Sequence, residues 1–264
     1  MDWNGGAPAP RASADGAPTA TASATEPRRR LYDSYFATYY GAGHACPSEL
    51  SASVRAYFDQ HLGPHLPADR GAAILDVGCG FGGLLMHLRD RGYSNVSGVD
   101  VSPEQVAMAH RLGLTGVTLG EAAEHLADRR DELDLVCAID VLEHLERSEL
   151  LELLDAVHAA LRPGGRMLLQ VPNADGPFAC RMRYFDLTHE RAFTGKSIAQ
   201  ALRAAGFTTV SIHPVRPAVH GVPSAIRWAL WQVIRLGLTG YLAVETGVLR
   251  GHVLSQNLVA VAER

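Results

Sequence analysis

Between Ile74 and Gly83 the chain reads Ile-Leu-Asp-Val-Gly-Cys-Gly-Phe-Gly-Gly, and its chemistry lies in the glycines at 78, 80 and 83 and the acid at 76. Glycine tolerates positive φ and leaves the backbone bare, so a ligand can rest directly on the turn. An apolar run, a glycine turn and a helix in that order put the turn at the carboxyl end of a strand, where open α/β sheets bind their ligands. Gly78-x-Gly80-x-x-Gly83 also satisfies a dinucleotide fingerprint, so the glycines alone leave two ligand classes open. Asp76 separates them. A carboxylate a few ångströms from a pyrophosphate costs ~1–4 kcal/mol at effective dielectrics between 80 and 20, whereas a cationic ligand turns the same charge into an attraction.

A second acid, Asp100, closes the apolar run Val96-Ser97-Gly98-Val99-Asp100. Such an acid can accept both hydroxyl hydrogens of a ribose, an arrangement that nicotinamide and adenosyl cofactors share. Two carboxylates flanking a bare turn therefore imply a nucleoside that carries positive charge. S-adenosylmethionine, with an ammonium, a sulfonium and no phosphate, has that chemistry. A nicotinamide oxidoreductase and a non-catalytic binding protein stay as the alternatives from other classes.

From about Ala72 to Asn173 the chain resembles the class I S-adenosylmethionine-dependent methyltransferases. The matching segments are Val77-Gly78-Cys79-Gly80-x-Gly82, Gly98-Val99-Asp100-Val101-Ser102, Gly120-Glu121-Ala122, Asp134-Leu135-Val136, Val141-Leu142-Glu143-His144-Leu145 and Leu161-Arg162-Pro163-Gly164-Gly165, in that order. The resemblance implies an α/β, Rossmann-like fold: a mostly parallel seven-stranded sheet whose last strand is antiparallel, with helices on both faces and a helical cap. It implies that Asp76, Gly78, Cys79 and Gly80 line the methionine part of the cofactor, that Asp100 holds the ribose, and that Val101 packs on the adenine. Glu121, followed by Ala122, stands where an Asp usually meets the adenine amino group, and Asp140 borders the same cleft.

Methyl transfer is an in-line displacement, so the protein supplies positioning and, for an alcohol acceptor, a base. His144, just past the fourth strand, is one candidate, because a neutral imidazole takes a proton near pH 7. Asp140, Glu143 and His144 together form a D-x-x-E-H pattern that resembles the E-x-x-E-H of ubiquinone-pathway O-methyltransferases, and oxygen-rich ligands there would suit Mg2+. A second constellation, Tyr184 to Thr194, resembles the D-x-T-H-x-R-x-F-T segment of methyltransferases from polysaccharide and secondary-metabolite clusters. In it, Asp186 can orient His189 as the base; a loop whose Thr194 caps the following helix is the plainer reading. The expected reaction is O-methylation of a small-molecule or sugar hydroxyl in polysaccharide or natural-product biosynthesis, with N-methylation of an amine as the alternative.

Strands are expected at 72–78, 95–101, 116–120, 133–139, 166–172, 207–213 and 257–261, each a short apolar run bounded by Gly, Asp or Pro. Helices are expected near 103–112, 148–161, 194–205 and, mostly, 223–250. Ser102-Pro103-x-Gln105 reads as a capping box with proline at the first helical position. Pro163-Gly164-Gly165 stops the helix before it. Alternation of strand and helix implies a parallel sheet covered on both faces.

The 264 residues suffice for one such domain with additions: a leader at 1–30, N-terminal helices at 31–70, the cofactor-binding core at 71–175, and an acceptor cap with the last two strands at 176–264. The leader is rich in Ala, Pro, Ser and Thr and lacks the apolar core of a secretory signal, so a disordered segment and a cytoplasmic protein are expected. A net charge of −4 gives no support to nucleic-acid binding. Four widely spaced cysteines argue against a disulfide framework or a zinc ribbon. The stretch 225–244, with Trp228 and Trp231, carries Arg227 and Arg235 and so is not read as a membrane span. It is read as a lid, a homodimer contact or a helix leaning on a membrane.

Overall fold

Strand β1 (Ile74–Val77) shows why the chain folds as it does: all four residues are buried, and alternate side chains enter opposite hydrophobic clusters. Leu75 and Val77 join the cluster that also holds Val136, Ala138 and Leu154, whereas Ile74 joins Leu135, Cys137 and Val259 on the other face. A strand buried on both sides belongs in the middle of a parallel sheet. The computed structural model describes residues 30–33, 35, 38 and 49–264. Residues 1–29 of the expected leader, with Tyr39 and Cys46, lie outside the described residues.

Helix α1 (Ala52–His61), capped by the Ser51 hydroxyl, precedes β1. Helix α2 (Gly83–Asp90) follows the glycine turn, then β2 (Val96–Asp100), α3 (Pro103–Arg111), β3 (Val117–Leu119), α4 (Ala122–Leu126), β4 (Leu133–Ile139), α5 (Arg147–Ala160) and β5 (Leu161–Pro172). After β5 come α6 (Ala179–Arg183), α7 (Gly195–Ala204), β6 (Thr209–Pro214), α8 (Val222–Thr246) and β7 (Asn257–Glu263). The sheet order is β3-β2-β1-β4-β5-β7-β6, and β7 runs antiparallel to both of its neighbours. This is the Rossmann-like, mostly parallel seven-stranded sheet implied by the resemblance. Strand order reverses between β1 and β4, so their carboxyl ends frame a crevice.

Three expectations change in detail. The fifth strand begins at Leu161 rather than 166. Leu133 already pairs with Leu161, and a register shift at Gly164 (φ 79°) and Gly165 lets the Pro-Gly-Gly segment bulge within the strand. The last long helix ends at Thr246, where Gly247 turns left-handed, and does not reach 250. Of the capping box at 102–105, the Ser102 hydroxyl accepts the Gln105 N–H at 3.5 Å. The Gln105 side chain, however, leans on Gly80: a Cβ there would meet its Oε1 at 2.8 Å.

Candidate active site

The turn after β1 takes its shape from three left-handed glycines, Gly78 (φ 63°), Gly80 (φ 56°) and Gly82 (φ 90°). Gly78 also sits where Val141 leaves no room, since a Cβ would come within 2.5 Å of its Cγ2. The N–H groups of Gly78 and Cys79 both donate to Val99 O, fastening the turn to β2. Cys79 borders the cleft, and its side chain packs into the cluster of Leu85, Val106 and Leu114. Asp100 braces the same turn: one carboxylate oxygen accepts the Gly80 N–H and the other the Ser102 N–H, both at 2.8 Å. Each oxygen keeps a further lone pair for a ligand hydroxyl.

Two adjoining cavities cover this turn and share Tyr35, Gly78, Gln105, Asp140 and His144. One is bordered by Asp100, Val101, Glu121 and Ala122, the residues implied for ribose and adenine. The other, about 580 Å³, is bordered by Asp76, Cys79, Gly80, Glu143, Asp186 and His189. Neither lining includes a lysine or an arginine, although seven acids, from Glu49 to Asp186, line the two spaces. Such a field favours a positively charged ligand and opposes a pyrophosphate.

The acids differ in how the protein holds them. Burial, and then the neighbouring Asp100, push Asp76 well above the ordinary carboxylate range. Asp140 follows β4 with φ 55°, a conformation rare outside glycine. It opens to the cleft yet is walled in by protein, and this desolvation raises its pKa to about 6, against the lowering effect of the Gln170 amide that donates to both of its oxygens at 3.0 and 3.1 Å. Tyr57 of α1 in turn donates to Gln170. Neither residue carried a site signal in the sequence, because a lone Gln in a buried strand has no pattern and Tyr57 reads only as an aromatic at helical spacing before the sheet.

Around His144 the structure rearranges the expected partnerships. Thr188 Oγ donates to Asp186 Oδ1 at 2.7 Å and lies 2.8 Å from His144 Nδ1. With its one hydrogen committed to Asp186, the hydroxyl can only accept from the ring, so Nδ1 carries the proton and Nε2 the lone pair. Asp186 also accepts from the Tyr35 hydroxyl at 2.5 Å. Burial raises Asp186, but the hydrogen bonds from Thr188 and Tyr35 and the nearby His144 outweigh it and hold the carboxyl below its usual value.

The expected Asp186–His189 pairing is not formed. His189 Nδ1 instead bonds to the Met182 carbonyl at 2.9 Å, and the His189 ring meets His144 edge-on with centroids 4.7 Å apart. The carboxylate orients the other histidine, through Thr188. Thr194 caps α7 as the plainer reading held, accepting from Ser197 N.

The D-x-x-E-H cation set is likewise not assembled, since no donor atom of Asp140 joins those of Glu143 and His144. Donor atoms of Glu143, His144 and His189 do converge within 4.8 Å, and both Glu143 oxygens are buried without a hydrogen-bond partner. Two imidazoles and one carboxylate are a softer set than magnesium prefers, so these residues do not fit Mg2+. Burial, and then Asp140, raise Glu143 well above its ordinary value, which favours a neutral carboxyl at this spot.

Comparison with known proteins agrees with this architecture. Residues 50–212 match the family model described as "Methyltransferase domain". The ubiquinone biosynthesis O-methyltransferase of Cereibacter sphaeroides is 34% identical over 128 residues, covering 47% of this chain and 50% of that protein. The tRNA U34 carboxymethyltransferase of Hahella chejuensis is 31% identical over 161 residues, covering 57% of this chain and 49% of that one. The chain thus spans about half the length of these curated relatives. A crystal structure of a SAM-dependent methyltransferase from Archaeoglobus fulgidus superposes with a TM-score of 0.62 over 87% of this chain and 98% of its own, at 19% identity. The chain belongs to the family described as the methyltransferase domain, and it shares the fold of the SAM-dependent methyltransferase on which it superposes.

Proposed function

We propose that the protein methylates a hydroxyl group of a small molecule or sugar, in polysaccharide or natural-product assembly, with His144 as the base. The observation that carries this reading is the Asp186–Thr188–His144 chain, which fixes one tautomer of a histidine bordering both cavities. An amine acceptor needs no such device, because it reacts through its own lone pair and sheds a proton easily afterwards.

When bound, S-adenosylmethionine supplies a sulfonium-activated methyl group for in-line attack by the acceptor oxygen. The residues of the chain do the rest. Asp100 would receive the ribose hydroxyls, Val101, Glu121 and Ala122 would border the adenine, and Asp76 with Asp140 would answer the cofactor's positive charge near Gly78 and Gly80. His144 would take the acceptor proton at Nε2, with Asp186 stabilising the imidazolium through Thr188. His189, set edge-on to His144, would help wall the acceptor space. Residues beyond 176, including Met182 and Phe185 at the larger cavity, would form the acceptor cap.

The test is turnover on matched acceptors, read as S-adenosylhomocysteine release from pairs that differ only by hydroxyl or amine at the same position. The reading expects turnover on the hydroxyl members, abolished by adding excess S-adenosylhomocysteine. Turnover confined to the amine members would overturn it.

A further inference from the structure

We propose that α8 docks the protein onto the surface of an anionic lipid bilayer. The helix runs 25 residues from Val222 to Thr246, and of these Ser224 alone is fully buried. At 100° per residue, its partly buried positions, such as Trp231, Leu238 and Leu242, fall on one arc that faces the body of the protein. The opposite arc carries Val222, Ile226, Val233, Leu236, Tyr241 and Val244, all between 57% and 91% exposed, and it includes no charged residue. The usual order is inverted: the charged side chains Arg227, Arg235 and Glu245 lie off the outward stripe, and water faces the apolar one. An apolar face of this length on a globular domain marks a docking surface.

What covers it follows from charge and size. From residue 214 to 256 the chain carries Arg216, Arg227, Arg235 and Arg250 against Glu245 alone, a local net charge of +3 within a chain of −4. Pairing two copies through this helix would bring two +3 segments together. A helix of 25 residues is also only about 37 Å long and about 10 Å wide, on the order of 370 Å² per copy, below the ~800 Å² per partner of a stable interface. Residues 1–29 offer few large apolar side chains, Met1 and Trp3, to lay over it. A bilayer has neither limitation. Its interior takes the apolar arc, and its anionic headgroups meet Arg227 at the border of that arc, whose long stem lets the guanidinium reach outward.

The two arginines also decide the depth, since no helix among the described residues is long and apolar enough to cross a membrane. The helix lies in the interface plane. On its body-facing side, Trp231, Ile234 and Leu238 line a groove with Phe178, 77% exposed, and Arg181 of α6.

The experiment is co-sedimentation of the full chain with vesicles of phosphatidylcholine alone or mixed in equal parts with phosphatidylglycerol, alongside light scattering in solution. The expected result is at least ~10-fold more protein on the anionic vesicles, release by high salt, and loss of binding in the V233E/L236E variant. Both sites of that variant point to solvent, and its circular dichroism reports that the fold is kept. Salt release of the wild-type chain tests the charge contribution without any variant. Binding to neither vesicle, or equally to both, overturns the proposal. So does a stable dimer that V233E/L236E dissociates while the wild-type chain ignores lipid, which would make a second copy the occupant.

Discussion

Thr188 and His144, 44 residues apart in the chain, meet at 2.8 Å between the hydroxyl oxygen and Nδ1. Because the hydroxyl donates to Asp186, the contact transmits a carboxylate's orientation to the imidazole without the two touching. Thr188→Val keeps the shape and removes the hydroxyl. The expected outcome is a kcat lowered ~10–100-fold, with cofactor affinity unchanged by calorimetry. A matching loss in Thr188→Ala but not in Thr188→Ser would assign the effect to the hydroxyl rather than to packing.

Asp100 braces the glycine turn and borders the cavity lined by Val101, Glu121 and Ala122, where the proposed function places the ribose. Asp100→Ala is expected to cost S-adenosylmethionine binding about 2–3 kcal/mol through lost charge-assisted hydrogen bonds. Part of that loss comes from freeing the Gly80 and Ser102 N–H groups. Asp100→Asn, which keeps an acceptor oxygen, should lose less. Calorimetric titration of the three proteins checks the order, and equal affinities would remove the ribose role.

Gly78 combines positive φ with contact against Val141. Gly78→Ala is expected to lower stability by about 1–3 kcal/mol and to weaken cofactor binding, since the turn must shift. Adding Val141→Ala should relieve the clash and recover part of the stability, leaving the backbone cost. Denaturant melts of the single and double variants measure both parts.

Asp140, with its pKa raised to about 6, gives a pH dependence with a definite sign. A cationic ligand prefers the ionised carboxylate, so S-adenosylmethionine affinity should rise as pH increases through 6 and level off above it. Binding near pH 6 should release a proton. Below that, affinity should fall by up to ~10-fold per pH unit. Asp140→Asn should flatten the curve. Titrations between pH 5 and 8, in buffers of different ionisation enthalpy, report both the slope and the proton count.

The sheet and the crevice at the carboxyl ends of β1 and β4 were legible because their signals are local. Hydrophobic runs ending in glycine or aspartate marked β1 and β2, and the turn between Gly78 and Gly83 announced its own geometry. The orientation of His144 was not legible, because it depends on Thr188 and Asp186 arriving from beyond β5, and Asp186 looked like the partner of its near neighbour His189. Proximity in sequence misled there, because the Met182 carbonyl had already taken His189 Nδ1. The bulge at Gly164 escaped for a related reason: Pro-Gly-Gly reads as a break, whereas pairing of Leu161 with Leu133 pulls the segment into the strand. The inverted face of α8 was equally hidden, since apolar residues on nearly every side of the helix do not say which side meets the body.

The most direct test is a single-turnover measurement with saturating S-adenosylmethionine and a hydroxyl acceptor, comparing the wild-type chain with His144→Ala and His189→Ala. With His144 as the base, His144→Ala slows the methyl-transfer step ~100-fold or more with cofactor affinity intact, while His189→Ala acts mainly on the acceptor concentration needed. A His144→Ala enzyme that transfers the methyl group at the wild-type rate would contradict that role.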